Sequence, residues 1–144
     1  MLFRTISLAV ACLCLNGCSY VYNVLAEVQD GRLTFAADED CVTMVEVRAD
    51  GDEVTQTDAG DDPTRVAYGT FWYQHVDFAD RCRNVFPLTY GVEFEGTLTE
   101  SLGAVAAKPL VREVIYTVNT STGSTGYGEG RFIIHEDGSV ENLG

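Results

Sequence analysis

The sequence is short of positive charge. Its 144 residues carry 9 Lys and Arg against 22 Asp and Glu, a formal net charge of −13 at pH 7. Binding to nucleic acid draws on clustered Lys and Arg that displace condensed counterions, so we expect no nucleic-acid partner. Direct electrostatic attachment to an anionic lipid surface is disfavoured for the same reason. The chain also lacks an apolar stretch near the ~20 residues that a spanning helix needs; its longest runs only over residues 6–15. It has two histidines, His75 and His135, each alone in a strand-like stretch with no partner at triad or metal-ligand spacing. There is no Cys-x-x-Cys pair to suggest redox catalysis and no EF-hand spacing. Gly126-Tyr-Gly128-Glu-Gly130 is glycine-rich but has no lysine and no following helix, so it does not read as a phosphate cradle. These absences lead us to expect no catalytic residues, no metal ligands and no cofactor.

What is present is alternation. The chain is rich in Val, Thr, Tyr and Phe, and its apolar runs are short and separated by turn residues, the pattern of an all-β domain. Residues 24–28 and 32–36 flank Asp30-Gly31, a pair suited to the two positive φ angles of a type I′ hairpin turn. Further strands are expected over residues 42–48, 65–76, 88–94 and 113–118. A second hairpin is expected over residues 131–135 and 139–143, around Asp137-Gly138. The total is about seven or eight strands. No amphipathic helix of useful length appears; residues 98–107 hold at most a helical turn or two, weakened by Gly103. Residues 58–63 read as an acidic loop, and residues 120–130 as a flexible loop or the approach to the last hairpin. Count and spacing fit two packed sheets, a single sandwich with no domain boundary inside residues 20–144.

The first residues read differently. Residues 1–4 carry one positive charge, and residues 6–15 are apolar apart from Ser7, a length that suits the central region of a signal peptide. Leu15-Asn16-Gly17-Cys18-Ser19 follows, and it resembles the lipobox of bacterial lipoproteins: an aliphatic residue, a variable one, a small one, then cysteine. Asn16 departs from the small or aliphatic residue usual at its position. The resemblance implies that Leu15 and Gly17 direct processing, that residues 1–17 are removed, and that Cys18 carries lipid as the new first residue. It implies a bacterial envelope protein bound to a membrane through its N-terminal lipid, and says nothing about the rest of the chain; an envelope protein is a separate candidate partner. Ser19 in place of Asp resembles the pattern of outer-membrane lipoproteins that face the periplasm. Residues 18–23 would then be a lipidated tether and residues 24–144 the sandwich. Loss of Arg4 with the leader takes the net charge to −14.

With Cys12 and Cys14 in the leader and Cys18 acylated, Cys41 and Cys82 are left as an even pair in an oxidising compartment. We expect a disulfide between them, the alternative being two separate thiols. Leu110-Val-Arg-Glu-Val-Ile-Tyr116 resembles the segment of fibronectin type III-like domains in which leucine precedes tyrosine by six residues. There the tyrosine hydroxyl bonds back to the chain at the corner entering a late strand. Arg112-Glu113 replaces the family's Pro-Gly, and its early tryptophan has no equivalent. The resemblance favours an immunoglobulin-like antiparallel β-sandwich over a barrel.

Two features remain as candidates for binding. The aromatic run Phe71-Trp72-Tyr73 cannot all face one way; an exposed ring would suit carbohydrate or a protein, whereas burial of both faces would make the run part of the core. The carboxylates of Asp38-Glu39-Asp40, of Asp50 to Glu53 and of Asp58, Asp61 and Asp62 either supply oxygens to calcium or form solvated loops. The first functional reading is a non-enzymatic lipoprotein with a structural or protein-interaction role. The second is a ligand-binding module for glycan or calcium.

Overall fold

The structure, a computed structural model, describes residues 18–53 and 55–144. The leader expected over residues 1–17 lies outside them. The described chain forms β1 (Tyr20–Asn23), β2 (Leu25–Gln29), β3 (Arg32–Ala36), β4 (Met44–Ala49), a short helix α1 (Pro63–Ala67), β5 (Thr70–His75), β6 (Leu88–Thr89), β7 (Ile115–Ser121), β8 (Gly126–Ile134) and β9 (Val140–Leu143). Two 3-10 turns, Phe78–Arg83 and Glu100–Leu102, complete it. The larger sheet runs β1-β8-β7-β4-β5, with β9 following β1 along the outer edge of β8; the smaller runs β2-β3-β6. The fold is the expected all-β sandwich. Its core joins Val45 and Val47 of β4, Phe71 and Trp72 of β5, Tyr116 and Val118 of β7, and Phe132 of β8 to Ala26 and Phe35 of the smaller sheet.

The first hairpin follows the sequence reading. β2 and β3 pair in register from Leu25↔Ala36 to Gln29↔Arg32, and Asp30 and Gly31 take the two positive φ angles, 51° and 75°. The tyrosine corner is also formed. The Val111 N–H donates to the Tyr116 hydroxyl at 2.9 Å, and the buried Tyr116 ring stacks on Phe132. Cys41 and Cys82 are disulfide-bonded, joining the Phe78–Arg83 turn to the segment leading into β4. Closing a loop of that length removes about 4 kcal/mol of chain entropy from the unfolded state.

Three expected elements differ. Residues 65–76 are not one strand: their first part is α1. Asp62 caps it, its side chain accepting from the N–H groups of Thr64 and Arg65, with Pro63 in the first turn. These are strong helix-start signals that outweigh the alternation of Val66 and Tyr68. Gly69, at φ 86°, then turns the chain into β5. Residues 88–94 pair only at Leu88 and Thr89, after which the chain turns at Tyr90-Gly91.

The third difference matters most. The glycine-rich segment within residues 120–130 is strand, and residues 20–23 are not tether. β1 lies parallel on β8, from Tyr20↔Gly126 to Asn23↔Glu129. This is a parallel pair in a sandwich expected to be antiparallel. A parallel neighbour is possible there because β1 arrives from the N-terminus and not through a hairpin. A methyl group at Gly126 would strike Tyr20 and Thr122, one at Gly128 the Tyr22 ring and Thr120, and one at Gly130 the Val24 carbonyl. Glycine at Gly126, Gly128 and Gly130 thus leaves the first half of one β8 face bare for the side chains of β1. At Val24 the chain crosses to the smaller sheet: the Val24 N–H still donates to the Glu129 carbonyl at 3.0 Å, and Leu25 begins β2. Asn142 of β9 seals the crossing, its amide accepting from Ala26 N–H at 2.8 Å and donating to Ala26 C=O at 2.9 Å.

Gly128→Ala is therefore expected to lower stability in urea unfolding by roughly 1–3 kcal/mol, the usual range for overpacking. Gly51→Ala, which meets open space, should stay within about 0.5 kcal/mol. Equal midpoints for the two variants would contradict this role of the glycines.

Candidate functional site

One end of the larger sheet is defined by a row of paired residues. Tyr20 of β1 sits opposite Gly126, Met44 of β4 opposite both Ser121 and His75, and the β7–β8 turn spans residues 122–125. Cys18, the predicted lipid site, precedes β1 by two residues and is exposed. The disulfide-held Phe78–Arg83 turn covers the same end. Beside it lies a cleft of about 460 Å³, lined by Thr43, His75, Asp77, Phe78, Thr99 and Ser124 among others.

The polar groups around this cleft are mostly committed to the fold. The Thr43 hydroxyl bonds with that of Ser121 at 2.9 Å and accepts from the Gly123 N–H at 3.2 Å, fixing the β7–β8 turn. Thr99 donates to Asp77 at 3.1 Å. His75 Nδ1 is buried without a hydrogen-bond partner. Burial pushes the His75 pKa down, Asp77 opposes this, and Arg65 adds to it, so the ring is held neutral. Among the described residues, neither histidine side chain is hydrogen-bonded to a serine or threonine hydroxyl.

His135 lies at the opposite end, beside the β8–β9 turn. Its Nδ1 faces Glu113 at 3.2 Å and its Nε2 faces Glu141 at 2.7 Å. Hydrogen bonds to Glu141 and then Glu113 raise its pKa; when protonated, the ring donates to both carboxylates.

The acidic loops are used internally. Lys108, only 4% exposed, is paired with Asp61, 2% exposed, and with Asp58. Burial alone pushes the Lys108 pKa down, but the two carboxylates overcome it and raise it. Burial likewise pushes Asp61 up, yet Lys108 and the N–H groups of Ala106 and Asp58 hold it below the usual range. Asp50 accepts from Thr117 and, at 3.0 Å, from Arg131, and Asp62 caps α1. Asp38, Asp40, Asp52 and Glu53 remain exposed. Among the described residues, no three His, Cys, Asp or Glu side chains are placed to hold a metal ion.

The aromatic run is buried throughout, which removes it as a carbohydrate platform. A register shift between Val47 and Arg48 lets both Phe71 and Trp72 join the core. Tyr73 turns the other way, packs with Val66 and Val105, and carries the Arg65 guanidinium 3.6 Å above its ring. The exposed rings near the cleft are others: Tyr20, Phe78 and Tyr127. Sequence reasoning missed them, although Phe78, a lone large apolar residue among Asp77, Asp80, Arg81 and Arg83, was a readable signal. Compared with known proteins, the chain matches no family model, no curated protein and no solved structure.

An NMR titration should place His135 above and His75 below the ordinary histidine value of 6.5. The raised His135 stabilises the fold below its unfolded value, and that contribution is lost as pH rises through its folded value. The depressed His75 acts oppositely: its contribution holds above the unfolded value and is lost as pH falls through the folded one. Coincident titrations would contradict both environments. Lys108→Met should cost about 3 kcal/mol at neutral pH, since it strands the buried Asp61 carboxylate. Lys108→Met with Asp61→Asn should recover part of that loss. A single variant with wild-type urea stability would show that the pair does not hold the loop.

Proposed function

We propose that the chain is a bacterial envelope lipoprotein whose β-sandwich is held at a membrane by acyl chains on Cys18, after removal of residues 1–17. The observation that carries this reading is that the lipobox cysteine and the start of the fold nearly coincide: β1 begins at Tyr20, two residues after Cys18. The leader-like segment, the acylation motif and the folded domain thus follow one another without spare chain. The Cys41–Cys82 bond suits an oxidising compartment. Each buried CH₂ contributes about 0.8 kcal/mol, so two or more acyl chains give a stable attachment without a spanning segment. Ser19 favours the outer membrane, with the domain facing the periplasm.

In this reading the domain is non-enzymatic and serves a structural or protein-interaction role. Its support is the use made of the polar residues: Lys108, Asp58 and Asp61 hold a loop, Asp50 and Arg131 tie the end of β4 to β8 across β7, and the cleft hydroxyls fix a turn. The glycan alternative loses the aromatic run, which is core, and the calcium alternative is left with the exposed Asp38, Asp40, Asp52 and Glu53, since Asp50, Asp58, Asp61 and Asp62 are bonded within the chain.

Intact mass of protein extracted from membranes is expected to show Cys18 as the first residue, bearing diacylglycerol and an acylated amine. Cys18→Ser should accumulate as the uncut precursor. An unmodified mass starting at Met1 or near residue 20 would end the proposal. Calorimetric melting with millimolar calcium should leave the midpoint unchanged; a rise would revive the ligand-binding reading.

A further inference from the structure

We propose that the end of the sandwich from which Cys18 emerges is a bilayer-facing surface, with Tyr20, Phe78 and Tyr127 seated among the lipid headgroups. This rests on the lipid-anchor reading above and adds an orientation to it.

The tether sets the first condition. Only Ser19 separates Cys18 from Tyr20, and an extended chain reaches at most ~3.6 Å per residue, so the two steps span roughly 7 Å. The headgroup layer on each side of a bilayer is of similar thickness, roughly 5–7 Å. Tyr20 cannot swing away from the domain, because its N–H donates to the Thr125 carbonyl at 2.9 Å and its strand is paired to β8. With acyl chains inserted at Cys18, this sheet end has no room to stand off from the surface.

The second condition is what occupies that end. Three exposed rings each touch one turn, residues 122–125. Tyr20, 44% exposed, bonds through its hydroxyl to Thr122 at 3.2 Å. Tyr127, 46% exposed, donates to the Ser124 carbonyl at 3.2 Å. Phe78, 58% exposed, lies so close to Gly123 that a Cβ there would sit 2.8 Å from its ring. Rings with an apolar body and, in the tyrosines, a polar tip are favoured where hydrocarbon meets water. Phe78 is fixed in place: its 3-10 turn is joined through Cys82 to Cys41, and Asp80 of that turn accepts from the Thr97 N–H at 2.9 Å. Arg81 lies 4.4 Å over the Phe78 ring, where its guanidinium can meet lipid phosphate.

Charge is present at both ends: the near end carries Asp77 as well as Asp38 and Asp40, with Arg81 and Arg83 as its cations. The opposite end carries the Asp30-Gly31 turn, Asp52, Glu53 and the two carboxylates that pair with His135; this orientation points them away from the membrane. Asp38 and Asp40, exposed at the near end beyond β3, limit the depth to the headgroups, since carboxylates do not enter hydrocarbon.

Phe78→Trp supplies a probe, because the native Trp72 is 1% exposed and gives a constant background. Val28→Trp, near the Asp30 turn, is the distal control. Each full-length variant is produced in cells, purified with its acyl chains, and reconstituted in phosphatidylethanolamine vesicles brominated near the headgroup end of the acyl chain. The emission added by Phe78→Trp is expected to fall by at least half, and that added by Val28→Trp to be unchanged. Equal quenching of the two overturns the proposal, including the case in which a protein partner covers these rings in cells. If the purified chain bears acyl groups yet the Phe78→Trp emission is not quenched, the orientation fails and the anchor stands. If it bears none, the anchor reading fails and the orientation with it. Should Phe78→Trp disturb the disulfide turn, as judged by its melting midpoint, Tyr127→Trp replaces it with the same expected result.

Discussion

The structure depends on one contact above others: a strand from the start of the chain paired along β8, its side chains covering the part of one β8 face, Gly126 to Gly130, that carries none. Tyr20, Tyr22 and the Val24 carbonyl occupy the space that Cβ atoms at Gly126, Gly128 and Gly130 would fill. Glycine weakens a strand by backbone entropy and by leaving nothing to pack. Here the packing comes from the partner. Tyr22 reaches across to bond the Thr120 hydroxyl at 2.8 Å and sets its ring edge-on to Phe86. The chain that leaves this strand at Val24 then builds the smaller sheet, so the same contact that closes one sheet starts the other.

How much of this was legible depended on the range of the interaction that decided it. The β2–β3 hairpin was readable because Asp30-Gly31 carries its own instruction in two residues. The Tyr116 corner was readable because leucine and tyrosine stand six residues apart on one segment. The disulfide followed from counting cysteines once Cys18 was set aside. The helix α1 was missed although Asp62 and Pro63 announced it locally; the alternation of Val66, Tyr68 and Thr70 pointed to a strand and was given more weight. The glycine strand was misread for a different reason. Gly126 to Gly130 looks like a loop until Tyr20 and Tyr22 are placed on it, and those lie about a hundred residues earlier. The pairing of Lys108 with Asp58 and Asp61 was out of reach in the same way, as was the bulge that turns both Phe71 and Trp72 inward.

The acidic composition acquires a physical sense once the side chains are placed. Several carboxylates that looked like free ligands are structural: Asp61 with Lys108, Asp50 with Arg131, Asp62 at a helix start; Asp80, outside those clusters, accepts from the Thr97 N–H. The remainder keep the domain soluble and mutually repulsive. For a domain proposed to be crowded at a surface, that repulsion discourages self-association without calling on any specific site. The proposed anchor and the fold then divide the work. In that proposal acyl chains would supply membrane affinity, while the disulfide and the β1–β8 contact hold the end at which Cys18 emerges.

The central claim is that residues 20–24 belong to the sheet and are not a leash. Amide hydrogen exchange of Tyr20 and Val24, followed in protein extracted from membranes, tests it most directly. Both N–H groups should be protected nearly as strongly as those of β7, because they donate to the carbonyls of Thr125 and Glu129. Exchange at the rate of an unstructured chain would mean that β1 is not held, and the account of how the domain is fixed to its attachment point would be wrong.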